Sequence, residues 1–217
     1  MSLDHVFFVR IVSTLADGLL TTVLLAVLAT VLSALWGVPI VMALLSRSRL
    51  VSRLAVAYVE VVRNTPVLVQ MFFIFFGSGT LGYPLSGFVT GLLAMVLQNG
   101  AYMAEIYRGG IQSVSVKQTE AALAVGLTPR RAFRIIVLPQ ALRKVIPPLS
   151  NQGILIIKDT SLVATISVGE LTFHARMMAD QTAAVFEIFF TLALFYIVLT
   201  AIFGGVMRLI ESRMRIS

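Results

Sequence analysis

Charge is missing from long stretches of this chain. Residues 18–46 hold no Asp, Glu, Lys, Arg or His over 29 positions, more than the roughly 20 apolar residues that cross the hydrocarbon core of a bilayer. Residues 64–104 run 41 positions without a charge. That is too long for one crossing, and the Gly-Ser-Gly-Thr-Leu-Gly-Tyr-Pro run at 77–84 punctuates it as a turn. Residues 188–207 form a charge-free 20-mer. Between these lies 145–168, apolar except for Lys158 and Asp159, with Pro147 and Pro148 placed where a helix would begin. The pattern predicts an all-α membrane protein with five spans, at about 15–45, 55–76, 86–107, 145–168 and 187–208. All belong to one transmembrane domain covering 1–217. Residues 6–12 are expected along the outer interface.

Loop charge tests that count. Net charges of the six segments outside the spans, in chain order, are −1, +3, 0, +6, −2 and +2. The first takes in Asp4, Arg10 and Asp17, the fifth Glu170, Arg176, Asp180 and Glu187, and the last Arg208, Glu211, Arg213 and Arg215. Alternate segments are positive, as cytoplasmic loops are. This puts the N-terminus outside and the C-terminus in the cytoplasm. Removing the span at 145–168 would place the basic C-terminal segment outside.

Composition removes other classes. The chain is 58% hydrophobic and 12% charged, with a mean hydropathy of +0.95, whereas soluble domains carry about 25% charged residues. An ordinary water-soluble enzyme and a disordered chain are excluded. With no cysteine, so are a disulfide scaffold, thiol catalysis and Cys-ligated metals. No His-rich cluster stands out, so neither a metal site nor a catalytic residue is expected. Gly never precedes Lys, so the chain lacks a Walker A loop and cannot power transport alone. The first 17 residues lack a basic start, and no cleaved leader is expected. Five spans are few for enclosing a route, which points to a dimer or pseudo-dimer.

The basic loop at 117–139 is the most specific segment. Residues 117–125 read as a short helix. Gly126 follows, where a left-handed residue would end it. Thr128 and Pro129 restart a helix as N-cap and first turn. Ala132, Phe133, Ile136 and Val137 make its apolar stripe, and Pro139 is expected to interrupt it. Glu120 is expected in the first turn of the leading helix, where it complements the dipole. A basic helix–turn–helix also suits DNA or an anionic lipid surface, but five spans around it leave no room for a duplex.

Glu120-Ala121-Ala122, three residues, Gly126, nine residues, then Ile136-Val137-Leu138-Pro139 resembles the EAA loop of bacterial ABC importer membrane subunits. Arg63-Asn64-Thr65-Pro66, residues 104–111 (Ala-Glu-Ile-Tyr-Arg-Gly-Gly-Ile) and residues 158–162 (Lys-Asp-Thr-Ser-Leu) are similar to segments of the polar amino acid permeases. The resemblance extends over roughly 15–210. Ser115-Val116-Lys117 departs from the Pro-Lys-Gly usual before the loop. The resemblance implies a type I importer-like fold and a multi-pass subunit of the bacterial cytoplasmic (inner) membrane. It implies two cytoplasmic ATPase subunits, with ATP and Mg on them and no cofactor in this chain. They would dock on Glu120, Ala121, Ala122, Gly126, Ile136, Leu138 and Pro139. It also implies a second permease chain, identical or paralogous, and an extracytoplasmic (periplasmic) amino-acid-binding protein. No nucleic acid is a partner.

A charge at the bilayer centre costs about 2.5–3.5 kcal/mol on insertion scales, so each one inside a span needs a reason. Asp159 is a candidate for a substrate ammonium or guanidinium, with Ser161 beside it, while Lys158 suits an interchain ion pair. Glu60 is a second acidic candidate. It lies three residues from Arg63, as an intrahelical pair would, and Pro66 is expected to open that helix and free carbonyls near Val62. Gln98 and Asn99 either line a path or bond a neighbouring helix. Glu105 and Arg108 read as an interface pair, and His174 as solvated. Glu60, Gln98, Asp159 and Ser161 are thus the candidate substrate contacts, and the acidic ones lean towards a cationic amino acid. A rival from another class is an ion-driven secondary transporter or channel that uses Asp159 or Glu60.

Overall fold

The computed structural model describes residues 5–214, and every regular element in it is helical. Asp4 and Arg215, which enter the loop-charge count, lie outside the described residues. Helix α1 (His5–Leu44) is a single 40-residue rod, about 60 Å at 1.5 Å per residue. The expected interfacial segment at 6–12 is therefore its first turns. Nothing between Val6 and Leu44 breaks it except Pro39, which the helix absorbs. One side of α1 buries Ile11, Leu15, Leu25 and Ala29, while Leu20, Val31, Leu35 and Met42 face outward. This is an apolar helix with only one face against protein, as a lipid-facing span requires.

Helices α2 (Arg49–Arg63) and α3 (Val67–Thr80) meet at a bend of 99°. The span expected at 55–76 is two helices, broken at Pro66, where the sequence expects the helix to open. Proline explains the break: Pro66 has no N–H to return to Val62, and it pushes Thr65 out of helical geometry. Helix α4 (Gly87–Gln112) is opened by Ser86, whose hydroxyl accepts from Val89 N–H at 3.4 Å. It is the central post. Leu25 and Ala29 of α1, Met71 of α3, and Met95 and Met103 of α4 pack in one core. Ile156 and Val163 complete it from the later chain. Inside that core, Gln152 Nε2 donates to Asn99 Oδ1 at 2.6 Å, and Asn99 Nδ2 donates to Met95 O at 2.8 Å. Asn99 thus bonds a neighbouring helix.

The 3–4 loop carries α5 (Val116–Ala124) and α6 (Pro129–Ala132), then a π-helical turn (Phe133–Val137) that leads without a break into α7 (Leu138–Asp159). Two sequence expectations fail here. Pro139 does not interrupt the helix; the helical run continues through it from the π turn into α7. The wider π turn just before it takes up the ring's conflict with the preceding carbonyls. Pro147 and Pro148 do not start a helix but lie inside α7. A 3-10 segment (Thr160–Ile166) extends α7. Helix α8 (Leu171–Thr182) and the long α9 (Val185–Met214) complete the chain.

By length and composition, α1, α4 and α9 suit a membrane crossing, and α2 with α3 add a fourth if the bent pair is one span. Helix α7 falls outside that set because Arg143, Lys144, Ser150, Asn151, Gln152, Lys158 and Asp159 dilute it. Helix α8 folds back on α1 at Gly18. A side chain there would meet the Glu170 carbonyl carbon at 2.5 Å, so only glycine lets the two backbones touch. Thr22 Oγ1 accepts from Leu171 N–H at 3.1 Å and donates to Gly18 O at 3.1 Å.

Candidate functional site

Two places in the fold carry chemistry. The first is the α2–α3 break. A helix end leaves carbonyls without partners, and here side chains take them up almost one by one. Glu60 O keeps a backbone partner, Asn64 N–H at 3.1 Å, while Thr65 Oγ1 donates to Val61 O at 2.7 Å. Gln70 Nε2 reaches Val62 O at 2.9 Å, the carbonyl that Pro66 orphans. Tyr102 Oη donates to Arg63 O at 3.3 Å. Thr65 O accepts from Gln70 Nε2 at 3.1 Å and from Gln98 Nε2 at 3.3 Å. The freed carbonyl expected near Val62 is therefore present and occupied. Gln98, a candidate substrate contact, directs its amide nitrogen at the break.

Charges gather at the same point. Arg108 grips Glu105 with two bonds, of 3.1 and 2.7 Å. The expected Glu60–Arg63 pair does not form. Arg63 instead faces Glu105 at 3.9 Å and lies over the Tyr102 ring, 4.9 Å from its centroid. Glu60 Oε2 accepts from Asn64 Nδ2 at 3.1 Å. Spacing on one helix favours the i,i+3 pair, but Tyr102 and Glu105 of α4 compete across the interface and win Arg63. Glu60, Arg63, Asn64 and Tyr102 line a polar pocket of about 230 Å³.

Asp159 and Ser161 sit elsewhere, where α7 passes into the 3-10 segment. Asp159 is half-buried and Lys158 exposed. Among the described residues neither makes an ion pair, and Ser161 Oγ donates to Lys158 O at 2.8 Å. No hydrogen bond joins Asp159 or Ser161 to Glu60 or Gln98 among the described residues. The four candidates are therefore not joined in one hydrogen-bonded cluster: Glu60 bonds Asn64, Gln98 bonds Thr65 O, and Ser161 bonds Lys158 O.

The second place is the loop. Helix α5 ends at Gly126, whose φ of +87° is the left-handed conformation expected there. Leu127 N–H donates to Ala122 O at 3.1 Å and Gly126 N–H to Leu123 O at 3.0 Å, closing the helix end. Thr128 holds the extended N-cap backbone ahead of Pro129, though its hydroxyl makes no capping bond. Glu120 falls in the second turn of α5, not the first, because that helix starts at Val116. Glu120, Ala121 and Pro139 are exposed, Ile136 and Leu138 half-buried, and Ala122 buried. Val116 and Val125, at the two ends of α5, are 70% and 79% exposed. The loop is fastened at its root: Val114, Val137 and Ala141 pack together, and Lys144 Nζ donates to Ser113 O at 2.7 Å.

A third polar group is structural. Glu170 is fully buried, not a solvated loop charge. Its Oε1 accepts from Phe173 N–H at 2.7 Å, capping α8, and its Oε2 accepts from Tyr196 Oη at 2.9 Å. Burial pushes its carboxyl above the ordinary range, and the Thr172, Phe173 and Tyr196 donors pull it back. His174 stacks edge-on against Phe173. Gln70, Tyr102, Gln152 and Tyr196 were not singled out by sequence. Gln70 had a legible signal: it lies four residues after a proline that must orphan a carbonyl.

A helical post with apolar outer faces, a broken helix lined with polar groups and a rooted basic loop define a multi-pass membrane permease. The chain belongs to the family of binding-protein-dependent transport system inner membrane components, whose description matches residues 36–216. The nopaline transport system permease protein NocM of Agrobacterium fabrum is 39% identical over 201 residues, 88% of this chain and 83% of that protein. The probable glutamine ABC transporter permease protein GlnM of Bacillus subtilis is 38% identical over 184 residues, 85% of each. Among solved structures, an amino acid ABC transporter with histidines matches with a TM-score of 0.92 at 33% identity. The match covers 98% of this chain and 100% of that one.

Proposed function

We propose that this chain is the membrane-spanning subunit of an ATP-driven importer of polar L-amino acids in the bacterial cytoplasmic membrane. It crosses the bilayer five times, N-terminus outside and C-terminus inside, with α7 and its 3-10 extension as the fourth span. It pairs with a second permease chain, identical or paralogous. Two cytoplasmic ATPase subunits, which bring ATP and Mg, dock on 117–139, and an extracytoplasmic binding protein delivers the substrate. The observation that carries this reading is the loop: small residues at Ala121 and Ala122, exposed Val116 and Val125, and a root clamped to α4 and α7. A rigid root lets the docked ATPases turn the spans between inward-open and outward-open states.

Co-purification in mild detergent, with mass spectrometry of the bound proteins, tests the docking. One ATPase subunit per membrane chain is expected. Gly126→Pro removes the left-handed corner and should abolish that association. A chain that purifies alone and transports in liposomes without ATP would falsify the importer and favour an ion-driven carrier.

Glu60, Gln98, Asp159 and Ser161 are the proposed substrate contacts. The half-buried, unpaired Asp159 favours a substrate with an additional cationic group. Asp159→Asn should cut ATP-driven uptake about tenfold or more, with ATPase docking retained. Unchanged uptake takes Asp159 out of the site.

A further inference from the structure

The end of α2 holds more chemistry than a broken helix needs. The nearest carboxylate to Arg63 is Glu105 at 3.9 Å, and Glu105 is already held twice by Arg108. At that distance Arg63 gains charge attraction but no hydrogen bond. Its side chain donates to nothing among the described residues. The guanidinium is nonetheless placed, because it lies over the Tyr102 ring, a contact worth about 0.5–1 kcal/mol at exposed sites. Glu60 is placed as well: Asn64 holds its Oε2, and its Oε1 accepts no hydrogen bond among the described residues. The two groups are one helical turn apart and face the same polar pocket.

We propose that this pocket binds the zwitterionic end shared by all α-amino acids, with the Arg63 guanidinium on the α-carboxylate and the Glu60 carboxylate on the α-ammonium. This rests on reading the chain as an amino-acid importer and deepens it. A planar guanidinium offers two parallel N–H donors that match a carboxylate, a fit an ammonium point charge lacks. Tyr102 and Asn64 are positioning residues: one holds the cation from its face, the other fixes the carboxylate rotamer. Arg108 takes both oxygens of Glu105 in hydrogen bonds, so Arg63 is drawn to Glu105 by charge alone and keeps its own donors unused among the described residues. The assignment also divides the labour of recognition. With Glu60 engaged by the common ammonium, discrimination among side chains falls to Gln98, Asp159 and Ser161.

The test uses the detergent-purified complex of this chain with its ATPase subunits and no binding protein. Scintillation-proximity binding is measured with tritiated L-arginine and L-glutamine. Competitors are the unlabelled acids, their methyl esters and their decarboxylated amines. The parent complex should prefer the free acid over ester and amine by about tenfold to a hundredfold, the worth of a charge-assisted bond. Arg63→Met should erase that preference. Arg63→Lys should reduce it, since it keeps the charge but not the fork, and this variant decides the matter if the Met variant fails to assemble. Three results overturn the proposal: no acid-over-ester preference in the parent, a parental preference in both variants, or no binding of either probe. ATP-driven uptake in proteoliposomes supplied with the binding protein separates the two readings. Uptake with a failed preference sinks only the zwitterion site. No uptake of any amino acid sinks the importer as well.

Discussion

At Pro66 the chain turns through 99° between α2 and α3, whereas at Pro147 and Pro148 α7 runs on as one helix. Each proline removes the same donor. The difference lies in where the orphaned carbonyls go. Pro147 and Pro148 free the carbonyls of Arg143 and Lys144, both on exposed residues, so the helix can leave them to the surroundings. Pro66 frees the carbonyl of Val62, which is half-buried. There an open helix end is sustained by Gln70, Gln98 and Tyr102, which supply the missing donors from α3 and α4. Proline alone does not decide between a bend and a continuous helix; the available donors do.

Gln70→Leu is the harsher way to break this comparison. It strips the Val62 carbonyl of its donor and Thr65 of one of two. An unsatisfied buried acceptor costs about 1–3 kcal/mol, so the thermal midpoint of the purified complex should fall clearly. An unchanged midpoint would show that the break does not depend on those bonds. Pro147→Ala has the milder and opposite effect. It restores one backbone bond to Arg143, and thermal unfolding should register a gain of about 1 kcal/mol. That is short of the ~3 kcal/mol of an ideal helix interior, because α7 already accommodates the ring and the unfolded chain regains freedom. A loss of stability would mean that α7 needs its proline geometry.

Local chemistry was legible where a residue's role depends on its chain neighbours. Helix α4 starts within a residue of expectation after Ser86. The Gly126 corner and the Thr128–Pro129 restart follow from backbone preference alone. The Glu105–Arg108 pair formed because nothing outside α4 outbid it. What failed needed a partner from another helix. Arg63 left Glu60 for Tyr102 and Glu105, and the burial of Glu170 as a cap held by Tyr196 had no local signal. The prolines of α7 misled for a related reason. A helix start and a tolerated interior proline look alike in sequence, and the exposure that separates them is a property of the fold.

The π turn at Phe133–Val137 has a mechanical consequence. It makes α6 and α7 one shaft from Pro129 to Asp159, about 46 Å at 1.5 Å per residue. The half-buried Asp159 and the second half of the exposed loop therefore lie on one continuous helical run, whose π turn and paired prolines are the places where it can bend.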